Sequence, residues 1–193
     1  MKNCTLILLI LQIFIMSSCG IFEPEQNFAK DYFPLRVGET FVYKLVMDNA
    51  VENINRSGYK DTVEVKNIGV KYFSKTKYFM ILNYHINPYC KDTVFVRRTN
   101  NNVYFFGNKK ENLHYSFNPD KSVSNYASYY KTSNSDSDVY ISRDIKDDIY
   151  YFKYEVGREY EVTEIFYKNV GRKEIHFAYY TLGYFHYELI NKY

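Results

Sequence analysis

The side chains in this sequence that could bind a metal ion are four histidines and three cysteines, and their spacing matches no known metal-site motif. His85 and Cys90 lie close together in the chain, on either side of a turn, but two ligands do not complete a zinc site. His176 and His186 flank Gly183, a turn residue in a predicted hairpin, so they are expected to approach each other. We interpret these side chains as structural, and the sequence predicts neither a metal site nor a cofactor.

Two groups of acidic residues could also support chemistry. Glycoside hydrolysis requires a pair of carboxylates, and the first group could supply one: Glu155, Glu159, Glu161 and Glu164. Calcium takes oxygen ligands, and the second group consists of Asp136, Asp138, Asp147 and Asp148. The aspartates lack the glycine and terminal glutamate of a calcium loop, and alternating glutamates are typical of a solvated strand face. Nucleophile-elbow, P-loop and dinucleotide-binding motifs are also missing from the sequence, so we predict no catalytic residue and no enzymatic activity.

Tyrosine is unusually abundant, with 23 Tyr and 15 Phe but no Trp. Aromatic residues are enriched in strands, and neighbouring strand residues point to opposite faces. An adjacent pair of tyrosines therefore supplies one ring to the core and one to the outer surface. Outer rings could bind a glycan or a protein, or they could simply cover the solvent face. The binding candidates are three such pairs: Tyr129, Tyr130, Tyr150, Tyr151, Tyr179 and Tyr180.

The positive charges are too dispersed for a nucleic-acid-binding protein. The formal net charge is +3, and Lys and Arg cluster only in short pairs. A nucleic-acid-binding domain usually carries a basic patch or stripe. Nucleic acid is therefore excluded as a predicted partner.

Alternation of apolar and polar residues predicts about ten strands separated by turns. Residues 41–47 begin this series, and the polar segment 122–138 is predicted to be a long surface loop. Strands connected by sequential hairpins form a meander. The predicted fold is therefore all-β, with a single antiparallel meander-like sheet that is curled into a barrel or folded on itself.

The first eighteen residues have the pattern of a secretory leader. Lys2 precedes an apolar run, residues 5–16, that is shorter than the roughly 20 residues needed to cross a bilayer. The sequence Met16-Ser17-Ser18-Cys19 resembles the processing site of bacterial lipoproteins. The resemblance implies cleavage before Cys19 and acylation of that cysteine. Because Gly20 rather than Asp follows, it also implies the outer membrane of a Gram-negative bacterium.

A second resemblance covers residues 32–43, YFPLRVGETFVY. This stretch is similar to the start of the mature domain in small exported bacterial lipoproteins of unassigned function. We therefore predict a signal peptide at 1–18, a lipidated cysteine and tether at 19–30, and an all-β domain at 31–193. Cys4 is removed with the leader, so Cys90 is the only thiol expected in the mature chain, and no intrachain disulfide can form.

These observations predict a lipid-anchored protein of the cell envelope. Its β domain is expected to bind a partner, such as an envelope protein or a glycan, or to support envelope structure. One alternative is a carrier that holds a lipid or other apolar ligand in a barrel cavity. A more remote alternative is a hydrolase that cleaves envelope glycans with the glutamates named above.

Overall fold

The structure is a computed structural model, and it describes residues 27–48, 61–86, 92–120, 125–131, 136–156, 160–179 and 183–193. These contain one helix, α1 (Phe28–Tyr32). They also contain twelve strands: β1 (Thr40–Asp48), β2 (Thr62–Phe73), β3 (Thr76–Leu82), β4 (Thr93–Arg98), β5 (Asn102–Gly107), β6 (Lys110–Ser116), β7 (Asn125–Lys131), β8 (Asp136–Lys146), β9 (Ile149–Val156), β10 (Tyr160–Tyr167), β11 (Gly171–Tyr179) and β12 (Gly183–Lys192).

The twelve strands form one sheet in which neighbours in sequence are neighbours in space. The order is β6-β5-β4-β3-β2-β1-β12-β11-β10-β9-β8-β7, and each neighbouring pair is antiparallel. Because β1 pairs with β12, the sheet curls until its two edge strands, β6 and β7, approach each other. The sheet is a nearly closed barrel, which confirms the predicted all-β, antiparallel meander.

The strand count exceeds the prediction by two, and the additional strands are β7 and β8. The predicted surface loop at 122–138 contains β7 and the start of β8. Strand β7 lies wholly within the polar stretch, whereas β8 continues beyond it and buries Val139 and Ile141 on alternate positions. Backbone hydrogen bonds join β7 to β8 and β8 to β9, and they hold the β7–β8 hairpin in the sheet. Such hydrogen bonds leave no signal in the sequence.

Large aromatic side chains fill the barrel. The bulkiest fully buried rings are Tyr43, Tyr115, Tyr187, Phe117, Phe152, Phe166 and Phe185. Tyr115 is central to this packing, since its ring centroid lies 4.9 Å from those of Phe152 and Phe166. Tilted and edge-to-face contacts of this kind add to the stabilisation that comes from buried area.

Helix α1 lies across one end of the barrel. The Ala29 backbone N–H donates to the Asn100 carbonyl at 2.8 Å, and the Asn169 N–H donates to the Asp31 carbonyl at 2.7 Å. The Tyr32 hydroxyl donates to the Asp148 carbonyl, also at 2.7 Å. These partners lie in turns that each lead from an even-numbered to an odd-numbered strand, so the turns share one end of the meander. We call this the α1 end.

The helix begins inside the predicted tether. Ala29 is fully buried, and the Asn27 side chain accepts a hydrogen bond from the Lys30 N–H at 3.0 Å, as an N-cap residue does. The folded domain therefore starts a few residues before the predicted boundary at 31. Among the described residues, no helix has the length and apolar character needed to span a membrane.

Candidate functional site

A charged pair is buried inside the barrel, near its α1 end. Glu164 on β10 and Arg172 on β11 approach to 2.5 Å between Oε1 and Nη1. Arg172 also donates through Nη2 to the Tyr84 carbonyl at 2.6 Å, and its guanidinium lies 4.1 Å from the centre of the Tyr84 ring. The Tyr43 hydroxyl donates to the Arg172 carbonyl at 2.7 Å.

Tyrosine hydroxyls complete this interior network. Tyr115 donates to Oε2 of Glu164, and the Tyr84 and Tyr115 hydroxyl oxygens lie 2.6 Å apart. Burial raises the pKa of both tyrosines well above its usual value, and the charge of Glu164 raises it further. Both phenols therefore stay protonated at neutral pH, and both oxygens of Glu164 have partners. Buried polar groups satisfied in this way stabilise the fold.

One cavity inside the barrel is too small for a ligand. A cavity of about 30 Å³ adjoins Arg172 and is bordered by Tyr43, Asn67 and Tyr84. Typical small-molecule pockets measure about 300–1,000 Å³, roughly tenfold more. Within the described part of the barrel, this interior cavity is the size of a water site.

A second cluster lies on the outer face of the barrel, where β11 and β12 pair. Residues 175 and 177 of β11, and 185 and 187 of β12, are buried in the core, so the residues between them point outward. His176 lies directly opposite His186 in the register. The two rings stack, with centroids 4.1 Å apart. Glu174 places Oε2 3.1 Å from Nε2 of His176 and 3.3 Å from Nε2 of His186.

Two tyrosines contact this outer cluster, and burial affects one of its histidines. The Tyr184 hydroxyl is hydrogen-bonded to Nδ1 of His176, and the Tyr167 hydroxyl approaches Oε1 of Glu174 at 3.4 Å. Burial lowers the pKa of His186, and the stacked His176 lowers it further. Two imidazoles and a carboxyl group supply donor atoms that suit a transition-metal ion, and these donor atoms all lie within 4.8 Å of one another.

The predicted approach of His176 and His186 is thus observed, whereas Glu174 was missed. Period-two alternation could have identified it, because Glu174 and His176 are two residues apart and must share a face of β11. The other histidines lie apart from this cluster. His85 is 2.5 Å from Asp92 between Nδ1 and Oδ2, and His114 is buried and stacks on Phe105. Cys90 and Cys19 lie outside the described residues.

The tyrosine pairs are placed only in part. Tyr150 lies in the core, where its hydroxyl donates to the Phe117 carbonyl at 2.9 Å. It is therefore a packing residue and not a surface-binding residue, while Tyr151 is half-buried on the outer face. Tyr129, Tyr130 and Tyr179 belong to strands whose side chains are not described at these positions, and Tyr180 is outside the described residues.

The glutamates do not share one solvated face. Glu155 is exposed and Glu161 is bound by Lys153 at 2.8 Å, but Glu164 points into the barrel with 1% of its surface exposed. Glu164 is three residues from Glu161, an odd spacing that places the two on opposite faces of a strand. Glu159 lies outside the described residues. Glu164 is therefore a structural acid that an external glycan cannot reach.

The two aspartate pairs are too far apart to share a calcium ion. Asp147 and Asp148 form the turn after β8, and both have positive φ. Asp136 and Asp138 lie at the opposite end of β8, about 30–40 Å away at roughly 3.4 Å per residue.

The α1 end carries a polar cavity of about 290 Å³. Its lining includes four cationic side chains and two carboxylates: Lys30, Arg36, Arg98, Lys192, Asp31 and Glu39. Lys192 binds Glu39 at 2.8 Å, and Arg98 donates to the Phe33 carbonyl at 2.7 Å. The lining therefore has an excess of positive charge.

Comparison with known proteins identifies no relative of this chain. No protein-family model matches it, nor does any curated protein or solved structure.

Proposed function

We propose that this chain is an exported lipoprotein of the bacterial cell envelope, anchored through Cys19, whose barrel is a non-enzymatic domain for binding or envelope support. The leader, the MSSC sequence at 16–19 and the YFPLRVGETFVY stretch support the anchor. The packing of the barrel interior is the observation that favours binding at the outer surface rather than inside. Because large aromatic side chains are packed inside the described barrel, the proposed ligand or partner binds on the outer surface and is an envelope protein or a glycan.

The position of α1 supports the proposed orientation. Asn27 enters the fold at the α1 end, only eight residues after Cys19, and eight residues span at most about 28 Å. A barrel anchored there would hold its α1 end next to the bilayer. The excess of positive charge in the polar cavity suits that orientation, because anionic lipid surfaces attract Lys and Arg.

The anchor is tested by comparing two cysteine variants in cell fractionation and acyl labelling. Cys19→Ala should lose the acyl label and move from the membrane to the soluble periplasmic fraction, because one residue carries the lipid. The matched control is Cys90→Ala, which should keep both the label and the membrane location. An unlabelled wild-type protein, or a Cys19→Ala variant that stays in the membrane, would contradict the anchor.

The absence of an interior ligand is tested on the soluble Cys19→Ala protein by native mass spectrometry. The expected mass is that of the polypeptide alone, since the interior is filled by its own side chains. A lipid that co-purifies in stoichiometric amount would contradict outer-surface binding and favour the carrier alternative.

A further inference from the structure

We propose that Glu174, His176 and His186 form a binding site for a divalent transition-metal ion of the zinc class on the outer face of the barrel. This goes beyond the proposed function and does not depend on the lipid anchor. It also departs from the expectation, based on sequence spacing, that the histidines hold no metal. Imidazole nitrogen and carboxylate oxygen are established zinc ligands, and two histidines with one glutamate form a complete protein ligand set for an ion that keeps one open position.

The distances between the donor atoms fit such an ion. Ligands bind zinc at about 2.0–2.2 Å, so two ligands of a tetrahedral ion lie about 3.4 Å apart. Oε2 of Glu174 is 3.1 and 3.3 Å from the two Nε2 atoms. The donor atoms of the two histidines lie within 4.8 Å of each other, and the stacked rings would have to rotate to direct both nitrogens at one ion.

One of the nitrogen atoms that could bind a metal ion makes no hydrogen bond within the cluster. Nε2 of His176 is hydrogen-bonded to Oε2 of Glu174. Nε2 of His186 is buried and makes no hydrogen bond, since its approach to the same oxygen lacks hydrogen-bond geometry. A buried polar atom without a partner is unfavourable, and coordination of a metal ion would provide that partner.

The surroundings also hold the ligands in place. His176 and His186 lie on paired strands, so the backbone fixes their separation. The Tyr184 hydroxyl is hydrogen-bonded to Nδ1 of His176, so the other ring nitrogen, Nε2, faces the cluster. A metal-bound histidine is usually oriented by an outer-shell hydrogen bond of this kind. The side chains of Glu174, His176 and His186 are 21%, 23% and 17% exposed, so an ion can approach from solvent once a side-chain movement uncovers the buried Nε2 of His186.

The test is isothermal titration of Zn²⁺ into protein that has first been treated with a chelator. A free thiol also binds zinc, so each protein should carry Cys90→Ala. We expect saturable binding of one ion per chain. Titration with Co²⁺ should give the visible absorption of a low-coordinate cobalt site, a signature that weak surface binding lacks.

Three variants locate the site. His186→Ala and Glu174→Gln each remove a ligand and should weaken binding at least 100-fold. Tyr184→Phe removes only the orienting hydroxyl and should weaken it by about 10–100-fold while keeping the stoichiometry. His85→Ala is the matched control, because His85 also contacts a carboxylate, Asp92, and it should leave binding unchanged.

Folding of each variant is monitored by circular dichroism, and these outward-facing side chains should be replaceable without loss of the sheet. As a second readout, Zn²⁺ should raise the midpoint of thermal unfolding of the parent protein and the His85→Ala control, but not that of His186→Ala. The proposal is overturned if the parent protein shows no saturable binding. It is also overturned if folded His186→Ala and Glu174→Gln bind as tightly as the parent.

Discussion

Arg172 and Glu164 form an ion pair inside the barrel, with 2.5 Å between Nη1 and Oε1 and with 4% and 2% of their side chains exposed. They lie on paired strands on either side of the register shift between Ile165 and Phe166. Each charge is paired with the other and is contacted by surrounding tyrosines. Burying either charge without its partner would carry a large free-energy penalty.

Removing only one of these charges should be strongly destabilising. Arg172→Met leaves the carboxylate of Glu164 buried without a cation, and we expect a loss of about 3–5 kcal/mol in the free energy of unfolding. Adding Glu164→Gln removes the uncompensated charge, so the double variant should lose less than the sum of the single variants. Urea denaturation of the four proteins measures this coupling.

The matched control is the surface pair Lys153–Glu161, which has a similar separation of 2.8 Å but side chains that are 51% and 26% exposed. Lys153→Met should cost less than about 1 kcal/mol, because solvent screens exposed pairs. Equal losses for Lys153→Met and Arg172→Met would show that burial does not determine the strength of the interior pair.

Buried phenols should make the protein sensitive to alkali. Burial is the main cause that raises the pKa of Tyr43, Tyr84, Tyr115 and Tyr150, and the pKa of Tyr150 reaches about 12 from an ordinary value of 10. The folded state holds these protons more tightly than the unfolded state. Their contribution to stability is therefore complete below about pH 10 and is lost as the pH rises through the raised values.

Tyrosinate absorbance during a pH titration tests this expectation. Exposed tyrosines should ionise first, and the buried group should ionise in a later step, together with loss of the sheet signal in circular dichroism. Tyr150→Phe should reduce the alkaline loss of stability, whereas Tyr140→Phe, at a position 79% exposed, should not. Ionisation of all tyrosines in one step near pH 10 with the fold intact would contradict the expectation.

Much of the barrel could be predicted from the sequence because most strands bury one face. Strand β12 is an example, since Phe185, Tyr187 and Leu189 alternate with outward-facing residues. Strand β7 and the start of β8 are polar and enter the sheet through backbone pairing, which the residue pattern does not reveal. The β1–β12 pairing that joins the two halves of the sheet could not be predicted either, because it joins strands that are far apart in the chain.

The candidate site was harder to predict than the fold. The Gly183 hairpin correctly indicated that His176 and His186 are close, since their spacing about the turn fixes the register. Strand periodicity places Glu174 on the same face of β11 as His176. This can be predicted only when the boundaries of β11 are known. The hydrogen bond of Glu164 to Tyr115 depends on packing across the barrel, which single-strand periodicity does not report.

Two glycines should differ in how much they tolerate a methyl group. Gly171 and Gly38 both have left-handed backbones, with φ of +100° and +90°, so alanine should cost about 1–3 kcal/mol at either position. A Cβ at Gly171 would also lie 3.2 Å from Cδ of Pro34, whereas a Cβ at Gly38 meets nothing within 4 Å. Gly171→Ala should therefore be the more destabilising by about 1 kcal/mol.

Urea denaturation of the two alanine variants measures this difference, and Gly38→Ala serves as the control for backbone strain. A similar loss in both variants would show that Pro34 moves aside at little cost. A larger loss for Gly38→Ala would contradict the prediction that contact with Pro34 adds to the strain.

Asn67 should be replaceable by an apolar residue with a gain in stability. Its side chain is 3% exposed, lines the 30 Å³ cavity, and makes no hydrogen bond to the protein through either amide atom. Its backbone bonds to Gly38 and Glu39 would survive substitution.

Asn67→Leu should raise the free energy of unfolding by about 1 kcal/mol, because burying an unpaired amide is unfavourable. Asn67→Ala should instead lower it, since a smaller side chain enlarges the cavity. Chemical denaturation distinguishes the two signs, and a loss for both variants would mean that the amide itself stabilises the barrel.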